Sequence, residues 1–305
     1  MTTQTDTATT RIHRHSIFVE DAEVLSHQDY PGDQYILRLQ APAIAQHALP
    51  GQFAHIHCGP ELPMRRPLSI MRVDKDSGWV DFLYKVFGYG TRVLSQREEG
   101  DVVSVMGPIG QPFVLHDDRP RRLLIGGGVG IPPMVFVADV IKQQPKQKQE
   151  NNPPFVIMGS EVPFPFDARP SQFIVPGMPD GVIGAMPLME DWGIPSRLAS
   201  TQGYAGCFDG YVTDLARAWL DALDAEQRNQ IEIYACGPHP MLEAVAKMAY
   251  DYNLPCQVSL EEFMACAVGG CAGCVVEVQT EQGPAMKRVC VDGPVFDADT
   301  VFGRE

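Results

Sequence analysis

The sequence predicts an α+β multidomain chain of three lobes: an antiparallel β-barrel, an α/β nucleotide-binding domain and a small cysteine-bearing C-terminal lobe. Three observations carry this prediction. From Ile12 to about Leu115, short β-like runs alternate with Pro/Gly turns at spacings suited to a barrel. At Arg121 the texture changes to a buried strand, Leu123 to Ile125, running into Gly126-Gly-Gly-Val-Gly130 and then a helical stretch, which is how a parallel nucleotide-binding sheet opens. Near the end, Cys266, Cys271, Cys274 and Cys290 form a C-x4-C-x2-C-x15-C run. The expected division is a disordered Thr-rich tail over 1–10, the barrel over 11–117, the α/β domain over 118–258 and the last lobe over 259–305.

Within the barrel, Gln34 to Leu39, Gln52 to His57, Trp79 to Tyr84 and Asp101 to Val105 read as strands. Arg65-Arg-Pro-Leu-Ser69 and Tyr84-Lys-Val-Phe-Gly-Tyr-Gly-Thr91 read as the ends of two others. In the α/β domain, of about five strands, Phe155 to Met158 and Ile231 to Tyr234 continue the sheet, with helices from Ile131 to about Gln144, Thr213 to Leu223 and Pro240 to Tyr252. Lys142 to Pro154 reads as an exposed turn. Glu161 to Ser200, rich in Pro, Gly, Met and Phe and without a clear period, reads as an insertion whose Met178, Met186 and Met189 make contacts.

Bulk composition narrows the function classes. With 24 Lys+Arg against 38 Asp+Glu, the formal charge of -14 opposes nucleic acid and anionic lipid. The first ten residues lack the apolar core of a signal peptide, and no long apolar run suits a membrane span, so a cytoplasmic chain with reduced thiols is expected. Cys58, Cys207 and Cys256 read as small buried hydrophobes, and His55 and His57 as packing or solvent-facing residues without a metal role.

The cysteine run has the ligand spacing of a plant-type 2Fe-2S cluster. Three thiolates crowded around Gly269, Gly270 and Gly273 can wrap a compact site that Cys290 closes from a separate segment. Structural zinc is the main competitor; it usually shows two C-x2-C knuckles, and one is present here. Unligated or disulfide-forming thiols remain a further alternative.

Arg66-Pro67-Leu68-Ser69 followed some twenty residues later by Gly90-Thr91 suits a flavin: an arginine beside a rigid proline for a pyrophosphate, a hydroxyl for a ring nitrogen, amides at a helix start for phosphate. Gly126, Gly127, Gly128 and Gly130 form a phosphate-cradling turn, although Ile131-Pro-Pro departs from G-x-G-x-x-G. Cys236-Gly237-Pro238 follows an apolar strand at the edge where open α/β sheets hold ligands, and the small thiol of Cys236, the candidate catalytic residue, leaves room for a nicotinamide. Glu161, just beyond a strand, favours NAD(H) over NADP(H); Arg169 nearby argues the other way.

Taken in order with Gly107-Pro-Ile-Gly110, Ser259-Leu-Glu261, Met264 and Cys290-Val-Asp-Gly-Pro-Val-Phe296, these motifs make the chain, from Ile12 to Phe296, resemble the electron transfer subunits of NAD-dependent (class 1B) dihydroorotate dehydrogenase, in the ferredoxin-NADP reductase superfamily. The resemblance implies an FAD-binding barrel, an NAD-binding domain and a 2Fe-2S lobe. It also implies that Leu83, Tyr84 and Lys85 contact FAD. The implied partner is an FMN-containing dihydroorotate dehydrogenase catalytic subunit of pyrimidine biosynthesis, in a heterotetramer of two of each. Phe263 and Val268, with Phe296, would face that partner. Three departures stand out. Ala267 replaces the usual glycine, which a side chain tolerates if φ is negative; Phe263 replaces a basic residue; the 161–200 segment is longer than usual. Reductase subunits of hydrogenases, oxygenases or ferredoxin-linked transhydrogenases share the architecture, and a zinc scaffold without flavin is the non-enzymatic alternative.

Overall fold

Short strands with apolar residues on one face close into a barrel when every strand finds a partner on both sides, since closure leaves no unpaired edge. In the computed structural model, which describes residues 16–144 and 153–303, this happens over the N-terminal third. The strands β1 (Phe18–Tyr30), β2 (Gln34–Gln40), β3 (Phe53–Ile56), β4 (Arg66–Asp74), β5 (Trp79–Lys85) and β6 (Val102–Ile109) form a closed antiparallel barrel in the order β1-β2-β5-β4-β3-β6. Leu37, Leu39, Ile56, Ile70 and Phe82 fill its interior and are fully buried. Helices α1 (Pro42–His47) and α2 (Gly88–Leu94) lie between strands. Arg66-Pro-Leu-Ser69 opens β4; the expectation that it ends a strand is corrected, and Pro67 is tolerated near the strand's first residue, where a missing N–H costs least. The predicted tail over 1–10 and most of the predicted turn over 142–154 lie outside the described residues.

The α/β domain opens with β7 (Arg121–Gly127), a 3-10 turn at Gly128–Gly130 and α3 (Ile131–Lys142). There follow β8 (Phe155–Gly159), a two-stranded pair of β9 (Arg169–Pro170) and β10 (Gly184–Ala185), α4 (Pro187–Asp191), β11 (Ser196–Ser200), β12 (Phe208–Asp209), α5 (Val212–Asp221), α6 (Ala225–Arg228), β13 (Ile231–Cys236), α7 (His239–Asp251) and β14 (Cys256–Ser259). The last lobe holds the hairpin β15 (Val275–Thr280) and β16 (Gly283–Arg288), then β17 (Val295–Asp297) and α8 (Ala298–Phe302). The main sheet has seven strands in the order β12-β11-β8-β7-β13-β14-β17, parallel throughout except for β17.

Two of those strands exceed the sequence expectation. Strand β11 sits inside the segment read as an insertion. Its residues, Ser-Arg-Leu-Ala-Ser, show no apolar run, yet all are buried, with Arg197 donating to the carbonyls of Ser196 (2.7 Å) and Phe173 (2.6 Å). Strand β17 comes from the C-terminal lobe, which therefore shares a sheet with the nucleotide domain. The rest of the 161–200 segment straps the two domains together: the Gln34 side chain on the barrel donates to the Pro163 carbonyl (2.7 Å), and Arg72 of β4 lies between Trp79 and Trp192. Met186 and Met189 are buried inside it and Met178 packs against the core. Cys58 and Cys256 are buried, as expected, whereas Cys207 is half-buried.

Between barrel and sheet, a buried polar network fixes the connecting segment. The Glu232 carboxylate on β13 accepts from Tyr234 Oη (2.6 Å) and Gln257 Nε2 (2.8 Å) and lies 2.9 Å from His116 Nδ1, while the second Gln257 N–H donates to the Val114 carbonyl (2.7 Å), which lies 3.2 Å from Tyr234 Oη. Removing the acceptor strands several buried donors, each costing roughly 1–3 kcal/mol. Replacing Glu232 with Ala is therefore expected to lower stability by about 2–4 kcal/mol, read as a fall in the urea midpoint of the holo-protein.

Candidate redox site

The four cysteines of the run converge in space. Cys266 and Cys271 interact as one thiol pair and Cys274 and Cys290 as another, with Cys266 also within electrostatic range of Cys290. Burial tends to raise the Cys266 pKa, but backbone N–H groups at Val268, Cys271 and Gly270 together with the Cys271 thiol bring it down to about 7. Burial, and then the Cys274 thiol, push Cys290 up to about 12. Glycine and alanine residues in left-handed conformations let the loop wrap: φ is 57° at Ala267, 79° at Gly269 and 52° at Ala272. The Gly273 N–H lies 3.4 Å from Cys271 Sγ, and Val289 N–H donates to the Cys274 carbonyl (2.9 Å), which ties the returning segment to the loop. Among the described residues no three His, Cys, Asp or Glu side chains form a group that could hold a metal ion. Two thiol pairs side by side fit a two-iron cluster better than one tetrahedral ion, because each iron takes two cysteine ligands and the inorganic sulfides separate the pairs.

The flavin motifs meet at the mouth of the barrel. A Cβ on Gly90 would lie 2.5 Å from Arg66 Nε, so only glycine lets the first turn of α2 approach the guanidinium this closely. Arg66 is half-exposed and holds the Met64 carbonyl (2.8 Å), leaving other N–H groups for an anion. Ser69 is half-exposed, and Lys85 is exposed where β5 ends. Pro67 is half-exposed beside them, Leu68 packs into the barrel core and Leu83 packs against α3. Two expectations need correction. The Tyr84 side chain is buried in the barrel, its Oη 2.9 Å from His27 Nε2 and its ring stacked on Tyr35, so a cofactor reaches at most its backbone. Thr91 Oγ1 accepts from Phe87 N–H (2.7 Å) and donates to the Phe87 carbonyl (2.9 Å), so the hydroxyl closes its own helix start instead of reaching out to phosphate. Arg65, the second arginine, is tied to Ser104 Oγ (2.9 Å) and the Ser104 carbonyl (2.7 Å).

The nucleotide motifs meet at the C-terminal edge of the sheet. Gly126 pairs with Cys236 across β7 and β13, and a Cβ on Gly130 would fall 2.3 Å from the Cys236 carbonyl oxygen, so the glycine turn and Cys236-Gly237-Pro238 lie in direct contact. Gly126 and Gly127 belong to β7, and Gly128, half-exposed, has open space where a side chain would stand. Cys236 is 1% exposed; burial raises its pKa well above the ordinary thiol value, so it is a neutral, space-filling thiol with no nucleophile character. A residue not singled out for a role, Glu261, borders a cleft of about 220 Å³ with Gly237, His239 and Leu260. Its side chain opens on solvent, yet the surrounding protein raises its carboxyl pKa by desolvation. The Ser259-Leu-Glu261 motif carried that signal. Glu161 is exposed just past β8, and Arg169 is engaged by Asp191 and the Pro187 carbonyl within its own segment.

Residues 261–302 match the iron-sulfur cluster binding domain of dihydroorotate dehydrogenase B. The chain is 31% identical over 92% of its length, and 97% of the relative's, to the dihydroorotate dehydrogenase B (NAD(+)) electron transfer subunit of Caldanaerobacter subterraneus subsp. tengcongensis. It is 34% identical to that of Bacillus caldolyticus over 88% and 92% of the two chains. The chain belongs to this family of electron transfer subunits. Among solved structures it is similar to an NADH-dependent reduced ferredoxin-NADP oxidoreductase, with TM-score 0.72, 25% identity and coverage of 92% and 90%. The ferredoxin reductase of carbazole 1,9a-dioxygenase shares the fold, with TM-score 0.59 at 22% identity over 78% and 67%.

Against the family pattern, the structure corrects one condition: Ala267 sits at φ 57°, in the left-handed region, where a negative φ had been expected. Its methyl is buried against the core that contains Cys274, Val289 and Cys290. Phe263 and Val268 are exposed beside the cluster loop, and Phe296 is half-buried, its ring packed over Gly293.

Two outcomes follow from this geometry. Cys271→Ser should abolish the reduced-cluster EPR signal while flavin stays bound, because the two sites are built from separate segments. Arg66→Ala should weaken flavin binding by about 1.5–3 kcal/mol, the worth of a charge-assisted contact, visible as flavin lost on dialysis and a weaker affinity in fluorescence titration.

Proposed function

We propose that this chain carries electrons between a nicotinamide nucleotide and a partner dihydroorotate dehydrogenase subunit, using FAD and a 2Fe-2S cluster. Cys266, Cys271, Cys274 and Cys290 would hold the cluster. Arg66, Pro67, Leu68, Ser69, Leu83, Lys85 and Gly90, with the backbone at Tyr84 and Thr91, would hold FAD, and Gly126 to Gly130 with Cys236, Gly237 and Pro238 would hold NAD(H). A flavin supplies the conversion between the two-electron hydride of a nicotinamide and the one-electron steps of the cluster. In the working direction the partner's FMN would serve to oxidise dihydroorotate to orotate, with both electrons and one of its two protons ending on NAD+ as NADH and the other proton released. The partner would assemble with this chain as a heterotetramer of two of each, in the cytoplasm. Among the described residues no helix is long and apolar enough to cross a membrane.

The observation that carries this reading is the pair of thiol pairs held on one loop and one returning turn, in a chain whose relatives are electron transfer subunits. Exposed Phe263 and Val268 beside the loop give the partner an apolar contact. Purified chain should show flavin and iron-sulfur absorption and oxidise NADH with artificial acceptors. It should oxidise dihydroorotate only after the FMN subunit is added. Turnover of dihydroorotate by the single chain, or efficient coupling to a hydrogenase or oxygenase without binding that subunit, would overturn the specific reading.

A further inference from the structure

His55 is a buried polar side chain of the barrel, 1% exposed, with both ring nitrogens unpartnered. A neutral imidazole carries one donor and one acceptor, and leaving them unmet in the interior forfeits their hydration without return. Its surroundings keep it neutral: burial first, then Arg65 and Arg66, lower its pKa to about 4.

The ring stands at a seam. His55 on β3 is directly opposite Pro67 on β4, so the two side chains share one face of the sheet, the face that also carries Phe53 and Ser69. Phe53 on that face belongs to the same buried apolar cluster as Leu260, Ala267, Cys274 and Cys290 of the C-terminal lobe, so the face is continuous with the core beneath the cluster loop. The backbone of Met264, two residues before Cys266, and that of Arg65 lie against the imidazole closely enough to favour a proton on it, although outside strict hydrogen-bond geometry. Arg65 holds the strand from the other side, donating to the His55 carbonyl (3.3 Å) and to Ser104. Among the described residues, the charged groups that act on the ring are Arg65 and Arg66, both on the flavin strand side.

We propose that His55 is a positioning residue for electron transfer: its neutral imidazole stands between the flavin-binding strand and the segment leading into the cluster loop, and in the loaded protein its N–H, unpartnered here, takes the adjacent Met264 backbone as acceptor and holds that segment on β3. A buried unmet donor gains more from one new partner than an exposed donor does, so a small inward shift of the loop is captured and held. The inference rests on the flavin and cluster reading given above.

The test compares His55→Leu, which keeps bulk and loses the donor, with His55→Gln, which keeps an N–H. Wild type must first show stoichiometric flavin and iron; if it does not, the functional reading fails and not the role of His55. With cofactor content matched, His55→Leu is expected to slow cluster reduction by NADH roughly fivefold to tenfold, the ratio one hydrogen bond supports, and to alter the line shape of the reduced-cluster EPR signal. Flavin reduction by NADH should be unchanged, and His55→Gln should recover most of the loss. Equal cluster rates and line shapes in His55→Leu and wild type, or an equal loss in both variants, would overturn the proposal. If His55→Leu fails to fold or load, imidazole nitrogen NMR of the wild-type holo-protein decides: one hydrogen-bonded, slowly exchanging ring N–H supports the role, and its absence refutes it.

Discussion

The return segment from Cys290 to Asp297 is the constraint on which the arrangement of all three lobes depends. Cys290 closes the cysteine site. Immediately after it, Gln111 N–H at the barrel exit donates to the Gly293 carbonyl (2.6 Å), and Gln111 bridges Pro294. Leu260 N–H donates to the Pro294 carbonyl (2.9 Å), and β17 then pairs with β14 as the edge of the main sheet. Arg288 adds a brace, its backbone N–H bonded to Asp292 Oδ2 (2.8 Å) and its guanidinium to the Gly269 carbonyl in the cluster loop (3.1 Å). Eight residues thus register the candidate cluster site against both the barrel and the sheet. A lobe attached by a flexible linker would leave the distance to a flavin undefined, and electron transfer needs a short, fixed one.

Close backbone approach does similar work on the nucleotide side. Gly130 against the Cys236 backbone is a contact that a single methyl would abolish, and a methyl on Gly90 would displace the Arg66 guanidinium. They bring together motifs more than a hundred residues apart in one case and some twenty-four in the other. The Glu232 network and the Trp192–Arg72–Trp79 stack then hold the barrel and sheet in one relative orientation, the first at the connecting segment and the second through the strap. The sites are therefore defined by seams between lobes, which is where ligand pockets gather.

What the sequence revealed follows from how much of each signal is local. The cysteine spacing and the glycine turns are covalent facts, legible without a fold. Strands with apolar runs, such as Leu123 to Ile125 and Ile231 to Tyr234, were equally plain. Strand β11 was not, because Ser196, Arg197 and Ser200 are buried through tertiary contacts that no local pattern encodes. The same limit applies to side-chain direction. Tyr84 and Thr91 fall within flavin-like motifs, but His27 and Phe87 claim their hydroxyls, and those partners are visible only in three dimensions. His55 was read as packing or solvent; its burial fits the first, while its unmet nitrogens give the position a significance that residue type alone did not signal.

Ala267 shows how a departure from a family pattern can persist. The left-handed conformation costs a residue with a Cβ roughly 1–2 kcal/mol, which is why glycine is the usual occupant. Against this, the buried methyl recovers about 0.8 kcal/mol by leaving water, and alanine loses less backbone freedom on ordering than glycine, a difference of roughly 0.5–1 kcal/mol. The opposing terms are of equal size, so the substitution is close to neutral for stability. A larger side chain would shift the balance, since the strain would remain while the core holding Cys274, Val289 and Cys290 would have no room for further atoms. The position next to the first cluster ligand is thus best matched by glycine or alanine, the residues that meet both the conformation and the packing.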